Sequence, residues 1–344
     1  MNSLERLVSV IIPCFNAEKW LREAIDSCIA QTYPKIEIIV IDDGSTDDCL
    51  AIIKSYGDKV IWESGPNRGG SYARNRGFVL SSGEYIQYLD ADDYLLPEKI
   101  ERQVRCLEET GADVVYGDWR HRQHLPNGTT FLDDIQVSGP KEDFLESLLT
   151  DKQWVAPLAL LFKRDLVARC DGWDEGLKAA QDRDFLISIA LNGATFIYQP
   201  GCHSIYRRYG SVTVSTANKN LWLESHFLLM QKAEVKLAQM DQLSDKYRQA
   251  LAEAYFLKIR PDRIVINYQR YLWTLKKILS LHPEFKAESA VLYTLMQKKL
   301  GFMTTEIIVK FVKQLRALLN GGMILNVGTA SPRSKSSLKS PTPN

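Results

Sequence analysis

The sequence predicts an α/β domain built on a mainly parallel central sheet, with a helical extension at its C-terminal end. Three features lead there. Short β-branched runs alternate with segments of helical periodicity, aspartates stand directly after several of those runs, and beyond about residue 221 long helical stretches take over. Strand, helix and strand in succession is the pattern of a parallel crossover unit.

Taken in order, Val8-Ser9-Val10-Ile11-Ile12 is closed by Pro13 and reads as a buried strand, since no polar face interrupts it. Residues 17–31 carry Trp20, Leu21, Ala24, Ile25, Cys28 and Ile29 at helical spacing and stop at Tyr33-Pro34. A second strand over 36–41 runs into Asp42-Asp43-Gly44-Ser45. A helix over 47–56, a strand over 60–63, a helix over 70–81 and a strand over 85–89 follow, the last ending on Asp90. Beyond Leu96-Pro97 the spacing predicts a helix over 98–110 and a strand over 113–116, then a polar excursion over 120–139 that reads as a hairpin or mobile loop. Residues 144–191 are mixed. The helical runs from 221 to about 319 are broken near Arg260-Pro261 and His282-Pro283, and the serine-, proline- and lysine-rich stretch 328–344 is expected to be disordered. The expected division is 1–215 for the α/β domain, 216–327 for a helical region and 328–344 for the tail.

The 344 residues suffice for a substantial core, and 43 lysines and arginines against 42 aspartates and glutamates give no global field that would favour nucleic acid. Electrostatic specialisation must be local. The cysteines Cys14, Cys28, Cys49, Cys106, Cys170 and Cys202 lack the close pairing of a zinc site and the density of a disulfide scaffold, which predicts reduced thiols. Residues 1–6 have neither the basic start nor the apolar stretch of a signal peptide, and no apolar run approaches the roughly twenty residues of a membrane span. The expected location is cytoplasmic, with the inner face of the membrane as the alternative.

Carboxylates carry the chemistry. In parallel sheets ligands collect beyond the carboxyl ends of strands, where Asp42, Asp43 and Asp90 stand. Asp42 or Asp43 could accept from a pyrimidine N–H or a ribose hydroxyl; an Asx turn closing the strand is the alternative. Asp90-Ala91-Asp92-Asp93 crowds acids whose mutual repulsion calls for a cation or donors, and oxygen ligands without nearby histidine or cysteine favour Mg²⁺ or Mn²⁺. Its alternative is a helix N-cap. A calcium hand starting at Asp90 fails because Leu95 stands where glycine is needed. Residues 67–77, Asn-Arg-Gly-Gly-Ser-Tyr-Ala-Arg-Asn-Arg-Gly, combine glycine amides, a helix start and arginines, which makes either an anion cradle or an ordinary loop. Asp182 opens a helical segment ending at Asn192-Gly193, so it is either a helix-start acid or a general base.

Together, residues 8–16, the segment from Gln31-Thr32-Tyr33-Pro34 to Asp47, Ala73-Arg74-Asn75-x-Gly77 and Leu89-Asp90-Ala91-Asp92-Asp93 resemble the inverting family-2 glycosyltransferases of the GT-A fold, over about residues 7–215. The resemblance implies that Pro13 and Asn16 border the nucleotide, that Asp42 or Asp43 meets the base, that Arg74 orients the nucleotide, and that Asp90 and Asp92 hold ribose and metal. It also implies that Trp173, Asp174 and Glu175 lie on the acceptor side and that Asp182 is the catalytic base. The implied reaction moves a sugar from a nucleoside-diphosphate-sugar, UDP first among the carriers, to a hydroxyl of a glycan or lipid-linked acceptor, with Mn²⁺ or Mg²⁺ as cofactor.

Two departures stand out. Gln181 replaces a usual acid beside Asp182, and Tyr209 stands where relatives often carry a histidine able to approach the metal or diphosphate. They motivate an alternative, a nucleotide-sugar-binding or scaffold protein of the same fold without turnover. A dehydrogenase is disfavoured, because Pro13-Cys14-Phe15-Asn16 occupies the place of a glycine fingerprint. The C-terminal helices, typified by residues 306–316, are expected to pack on the domain or a second copy, or to lie on an anionic membrane.

Overall fold

The computed structural model describes residues 6–150, 154–210, 218–259, 268–287 and 291–324. The tail expected to be disordered and the break expected at Arg260-Pro261 lie outside them.

Val8, Val10, Ile11 and Ile12 are fully buried in β1 (Val8–Cys14), which is flanked by parallel strands on both edges, β2 (Ile36–Asp42) and β4 (Tyr85–Tyr88). Full burial of each such side chain contributes about 1.5–3 kcal/mol, so a run with no polar face settles in the middle of the sheet. β3 (Ile61–Ser64) adds in parallel outside β2. Three helices cover this half, α1 (Leu21–Ile29), α2 (Cys49–Lys54) and α3 (Gly70–Leu80), while α4 (Lys99–Thr110), beyond the short β5 (Tyr94–Leu95), packs against the strands that follow. α1 buries Leu21, Ala24, Ile25 and Cys28, one apolar stripe at helical spacing. α3 lies so close to the sheet that a Cβ on Gly77 would come within 2.3 Å of Ile11 Cγ2.

The sheet then becomes mixed. Its order is β3-β2-β1-β4-β8-β6-β9-β5, where β6 spans Val114–His124, β8 Leu160–Lys163 and β9 Phe196–Tyr209. β8 runs antiparallel to both β4 and β6, while β6 and β9 are parallel. The excursion over 120–139 is a hairpin, in which β6 extends to His124 and pairs with β7 (Thr130–Gln136). α5 (Phe144–Leu149), α6 (Arg164–Arg169) and α7 (Gln181–Leu191) complete the mixed stretch.

Residues Met1–Pro283 form one compact unit and Glu284–Asn344 a second. The helices α8 (Lys219–Gln239), α9 (Asp245–Ile259) and α10 (Tyr268–Leu281) therefore belong with the α/β layers, and the division expected at 215 does not separate compact units. Polar ties explain it: Lys232 on α8 pairs with Asp184 on α7 at 2.7 Å, and Tyr247 on α9 donates to Asp143 at 3.0 Å. The second unit holds α11 (Val291–Leu300) and α12 (Phe302–Ile324). On α12, Ile308, Phe311, Val312 and Leu315 form an exposed stripe. All six cysteines are unpaired.

Candidate active site

The chain leaves β1 toward β2 on one side and returns to β4 on the other, so the carboxyl ends of β1 and β4 bound a topological switch point. Backbone bonds lock the three strand ends together, with Asp43 N donating to Cys14 O at 2.8 Å and Leu89 N to Ile11 O at 3.0 Å. A cavity of about 440 Å³ opens there, lined among others by Pro13, Asn16, Asp43, Arg74, Asp90, Asp92 and Tyr209. Asn16 adopts a left-handed conformation (φ 48°), which asparagine tolerates better than most residues. Its side-chain oxygen accepts from Thr46 N at 2.8 Å, tying the β1 loop to the β2 loop.

Asp43 accepts from the Arg68 and Gly69 amides, both at 2.7 Å, and so fixes the glycine-rich loop against the strand end. The loop approaches closely only because Gly44, at φ +78°, carries no side chain: a Cβ there would stand 2.7 Å from Asn67 N. Asp42, the other residue expected beside the base, does not line the cavity. It is buried on the far side of the strand end, accepting from Ser64 Oγ at 2.7 Å and Ser45 N at 3.1 Å.

Arg74, on α3, pairs with Asp90 at 2.5 Å and lies over the Trp173 ring at 4.5 Å, and its buried Nε has no partner among the described residues. Asp92 accepts from the Tyr209 hydroxyl at 3.0 Å. Burial, and then the Asp90 charge, push the Asp92 carboxyl above its usual range; Asp93, fully enclosed, is raised further by burial and by both neighbours. Asp93 is held by Arg207 N at 2.7 Å, and the buried Arg207 side chain binds the Asp92 carbonyl, Glu23 and His124. Among the described residues no group of three or more histidine, cysteine or acidic side chains is disposed to hold a metal unaided. One or two carboxylates completed by substrate phosphates and water is how Mg²⁺ is usually held, and a cation is what an acid cluster with raised proton affinity would accept. The residues present fit such an ion.

A second cavity, of about 490 Å³, shares Arg74 and Asp90 with the first and contains Asp182 and Trp173. Ala180, forced into a left-handed conformation at φ 57°, turns the chain into α7, so that Asp182 falls in the first helical turn. Trp154 donates its indole N–H to Asp182, and the Gln181 side chain turns back to the Leu177 carbonyl at 2.8 Å. Tyr206 stands among all the acids: burial raises its hydroxyl pKa, and Asp93, Asp90, Asp92 and Asp182 each push the same way. Asp174 and Glu175 are not brought into this cavity. They line a third one, of about 480 Å³, which Trp173 also borders, and there Asp174 pairs with Lys232 at 2.8 Å. Trp119, Trp154, Tyr206, Trp222 and His226 line the second cavity without having been singled out as site residues by sequence. No spacing rule connects them, and only the tryptophans' rarity could have drawn the eye.

Residues 9–158 match the family model described as Glycosyl transferase family 2. An uncharacterized glycosyltransferase of Rickettsia typhi is 46% identical over 191 residues, which is 53% of this chain and 58% of that protein. The uncharacterized glycosyltransferase YibD of Escherichia coli K12 is 30% identical over 257 residues, covering 69% of this chain and 72% of its own length. The chain belongs to glycosyltransferase family 2. The crystal structure of residues 1–349 of Staphylococcus aureus TarS in complex with UDP overlays this family-2 chain with a TM-score of 0.60 at 21% identity, over 81% of each chain, and the fold is GT-A. The chain spans just over half the length of the Rickettsia typhi relative. The family-matched segment contains most of the first cavity, whereas Asp182, Tyr209 and α8 lie beyond it.

Proposed function

We propose that this family-2 chain is an inverting glycosyltransferase that moves a sugar from a nucleoside-diphosphate-sugar to an acceptor hydroxyl in glycan or cell-surface biosynthesis. The observation that carries the reading is the meeting of the two cavities at Arg74 and Asp90, with Asp43 and Asp92 in one and Asp182 in the other. In this reading Pro13, Asn16 and Asp43 border the nucleotide, and Arg74 and Asp90 stand where donor and acceptor meet. A Mn²⁺ or Mg²⁺ ion held by Asp92, with Asp90 beside it, would supply positive charge at the diphosphate.

The acceptor oxygen attacks the anomeric carbon from the second cavity and forms the new C–O bond. The bond from that carbon to the diphosphate breaks, its electron pair leaves with the nucleoside diphosphate, and the acceptor proton passes to Asp182. Trp154 keeps that carboxylate oriented, and the sugar configuration inverts. UDP-sugars are the first donors to test, since TarS is described with UDP and with UDP-GlcNAc. Asp182→Asn should lower turnover by about two to four orders of magnitude while leaving donor affinity within a few-fold, measured as nucleoside diphosphate released from a panel of sugar nucleotides. Turnover within about tenfold of the parent would remove Asp182 from the role of base. Absence of turnover in the parent with nucleotide binding intact would favour the non-catalytic alternative, which the bond from Tyr209 to Asp92 motivates.

Among the described residues no helix is long and apolar enough to cross a membrane. Contact with a membrane or a second copy through the C-terminal helices finds its support in the exposed stripe of Ile308, Phe311, Val312 and Leu315.

A further inference from the structure

The second cavity continues from Asp182 onto α8. Trp222 and His226, one turn apart on that helix, line it together with Trp119, Trp154, Trp173 and Tyr206. Trp119 and Trp154 meet edge to face at 5.1 Å, and Tyr206 stands 5.9 Å from each. Trp222 is fixed in place: the buried Lys258 ammonium lies 4.1 Å from its ring centre, and the His226 ring lies 4.0 Å away. Even so, Trp222 is only half-buried and keeps surface in the cavity. A rigid indole left partly open beside a carboxylate offers broad apolar area at small entropic cost to a ligand with one flat apolar face.

A pyranose ring has such a face in its axial C–H bonds, and hydroxyls around its edge for Asp182, Gln181 and the histidines. A phosphate headgroup would need uncommitted cations in the cavity. Arg74 is already paired with Asp90, and Arg183 is buried and donates to the Leu148 carbonyl at 2.9 Å. Only Arg208 of the three is exposed, and a single solvent-exposed guanidinium contributes little to an ion pair, less than the aromatic wall offers a pyranose face.

We infer that Trp222 and His226, with Trp154, form an acceptor subsite for the pyranose ring of a glycan, and that Trp222 determines which acceptors are taken. The inference rests on the assignment of Asp182 as the base. α8 thereby contributes substrate contacts from outside the family-matched segment.

The test is saturation-transfer NMR on the full chain with UDP present, using methyl glucoside, galactoside, mannoside and N-acetylglucosaminide against farnesyl phosphate. Saturation should reach the ring C–H protons of at least one pyranoside, and Trp222→Ala should weaken its Kd by about tenfold while Trp222→Phe retains most of the affinity. No transfer to any of the pyranosides, equal affinity in Trp222→Ala, or binding of farnesyl phosphate in their place would overturn the inference. The thermal shift produced by UDP on the same samples reports folding and separates the two claims. With that shift present and pyranosides unbound, the subsite fails alone; with no shift in the parent from UDP, GDP or dTDP, the donor reading fails and takes the subsite with it.

Discussion

Replacing Gly77 by alanine sets two effects against each other. In an unremarkable helix interior the change gains about 1 kcal/mol. On α3 the new methyl would stand 2.3 Å from Ile11 Cγ2 and 3.5 Å from Ile41 Cγ1, whereas carbon atoms settle at about 3.5–4.0 Å. Ile11 is fully buried between two strands and has nowhere to swing, so roughly an ångström must be opened by moving the helix. Overpacking costs about 1–3 kcal/mol, and with an ångström to open the upper half of that range applies, so after the helix gain a net loss of about 1–2 kcal/mol remains, a fall of a few degrees in Tm. The displaced helix carries Arg74 away from Asp90, so the thermal shift given by UDP should shrink beyond what the stability loss explains. Urea unfolding of parent, Gly77→Ala, Ile11→Ala and the double variant measures the clash directly. Ile11→Ala removes the offending methyl, and the cycle should show a favourable coupling of about 1 kcal/mol or more. A Gly77→Ala protein as stable as its parent would refute this seating of α3 on β1.

Two other perturbations follow from buried polar contacts. Trp154→Phe removes the N–H that Asp182 accepts, so kcat should fall by about tenfold or more with the donor KM nearly unchanged; equal changes in both would indicate a merely structural role. Lys99 is fully enclosed and donates to Gln87 and, at 3.0 Å, to the Leu160 carbonyl, and burial holds its pKa well below the usual lysine value. Between that lowered value and about 10.4 the unfolded chain binds more protons than the folded one, so parent stability rises with pH across the window. Lys99→Met abolishes that titration, and the parent-minus-variant difference in urea melts should grow from about pH 7 to about pH 9.5; a flat difference would contradict it.

The parallel half was legible because each of its strands announces itself locally, as a short run of β-branched or aromatic residues that stops on an acid or a turn. What local pattern cannot say is which way a carboxylate points at a strand end. Adjacent residues face opposite sides, so Asp42 turns to Ser45 and Ser64 while Asp43 turns to the glycine-rich loop and the cavity. The same ambiguity separates Trp173, which enters the second cavity, from Asp174 and Glu175, which do not. β8 was hidden for another reason. Four residues wedged antiparallel between β4 and β6 owe their conformation to neighbours distant in sequence. Trp154 shares that origin: its importance comes from Asp182, 28 positions away, and nothing near it in the chain advertises the pairing.

A chain with 43 basic and 42 acidic residues can still concentrate charge locally, because distant segments are brought together. The acids Asp90, Asp92 and Asp93 sit at one strand end, and Arg207, which steadies them, arrives on β9, its backbone N–H bonded to the Asp93 carboxylate across 114 positions and its guanidinium to the Asp92 carbonyl. The Arg207 side chain is fully enclosed and reaches Glu23 across 184 positions, with Trp20 stacked 4.2 Å from it. An enclosed charge of that kind is tolerable only when every partner is in place, since losing one leaves a buried ion uncompensated. The acid cluster is therefore shaped by the last strand of the sheet as much as by the loop that bears it. β9 also supplies Tyr206 and Tyr209, one in each cavity. Adding β9 to the sheet is thus the step that both steadies the acids and gives each cavity one of its tyrosine walls, so the two cavities are complete only when residues from both ends of the α/β body have docked.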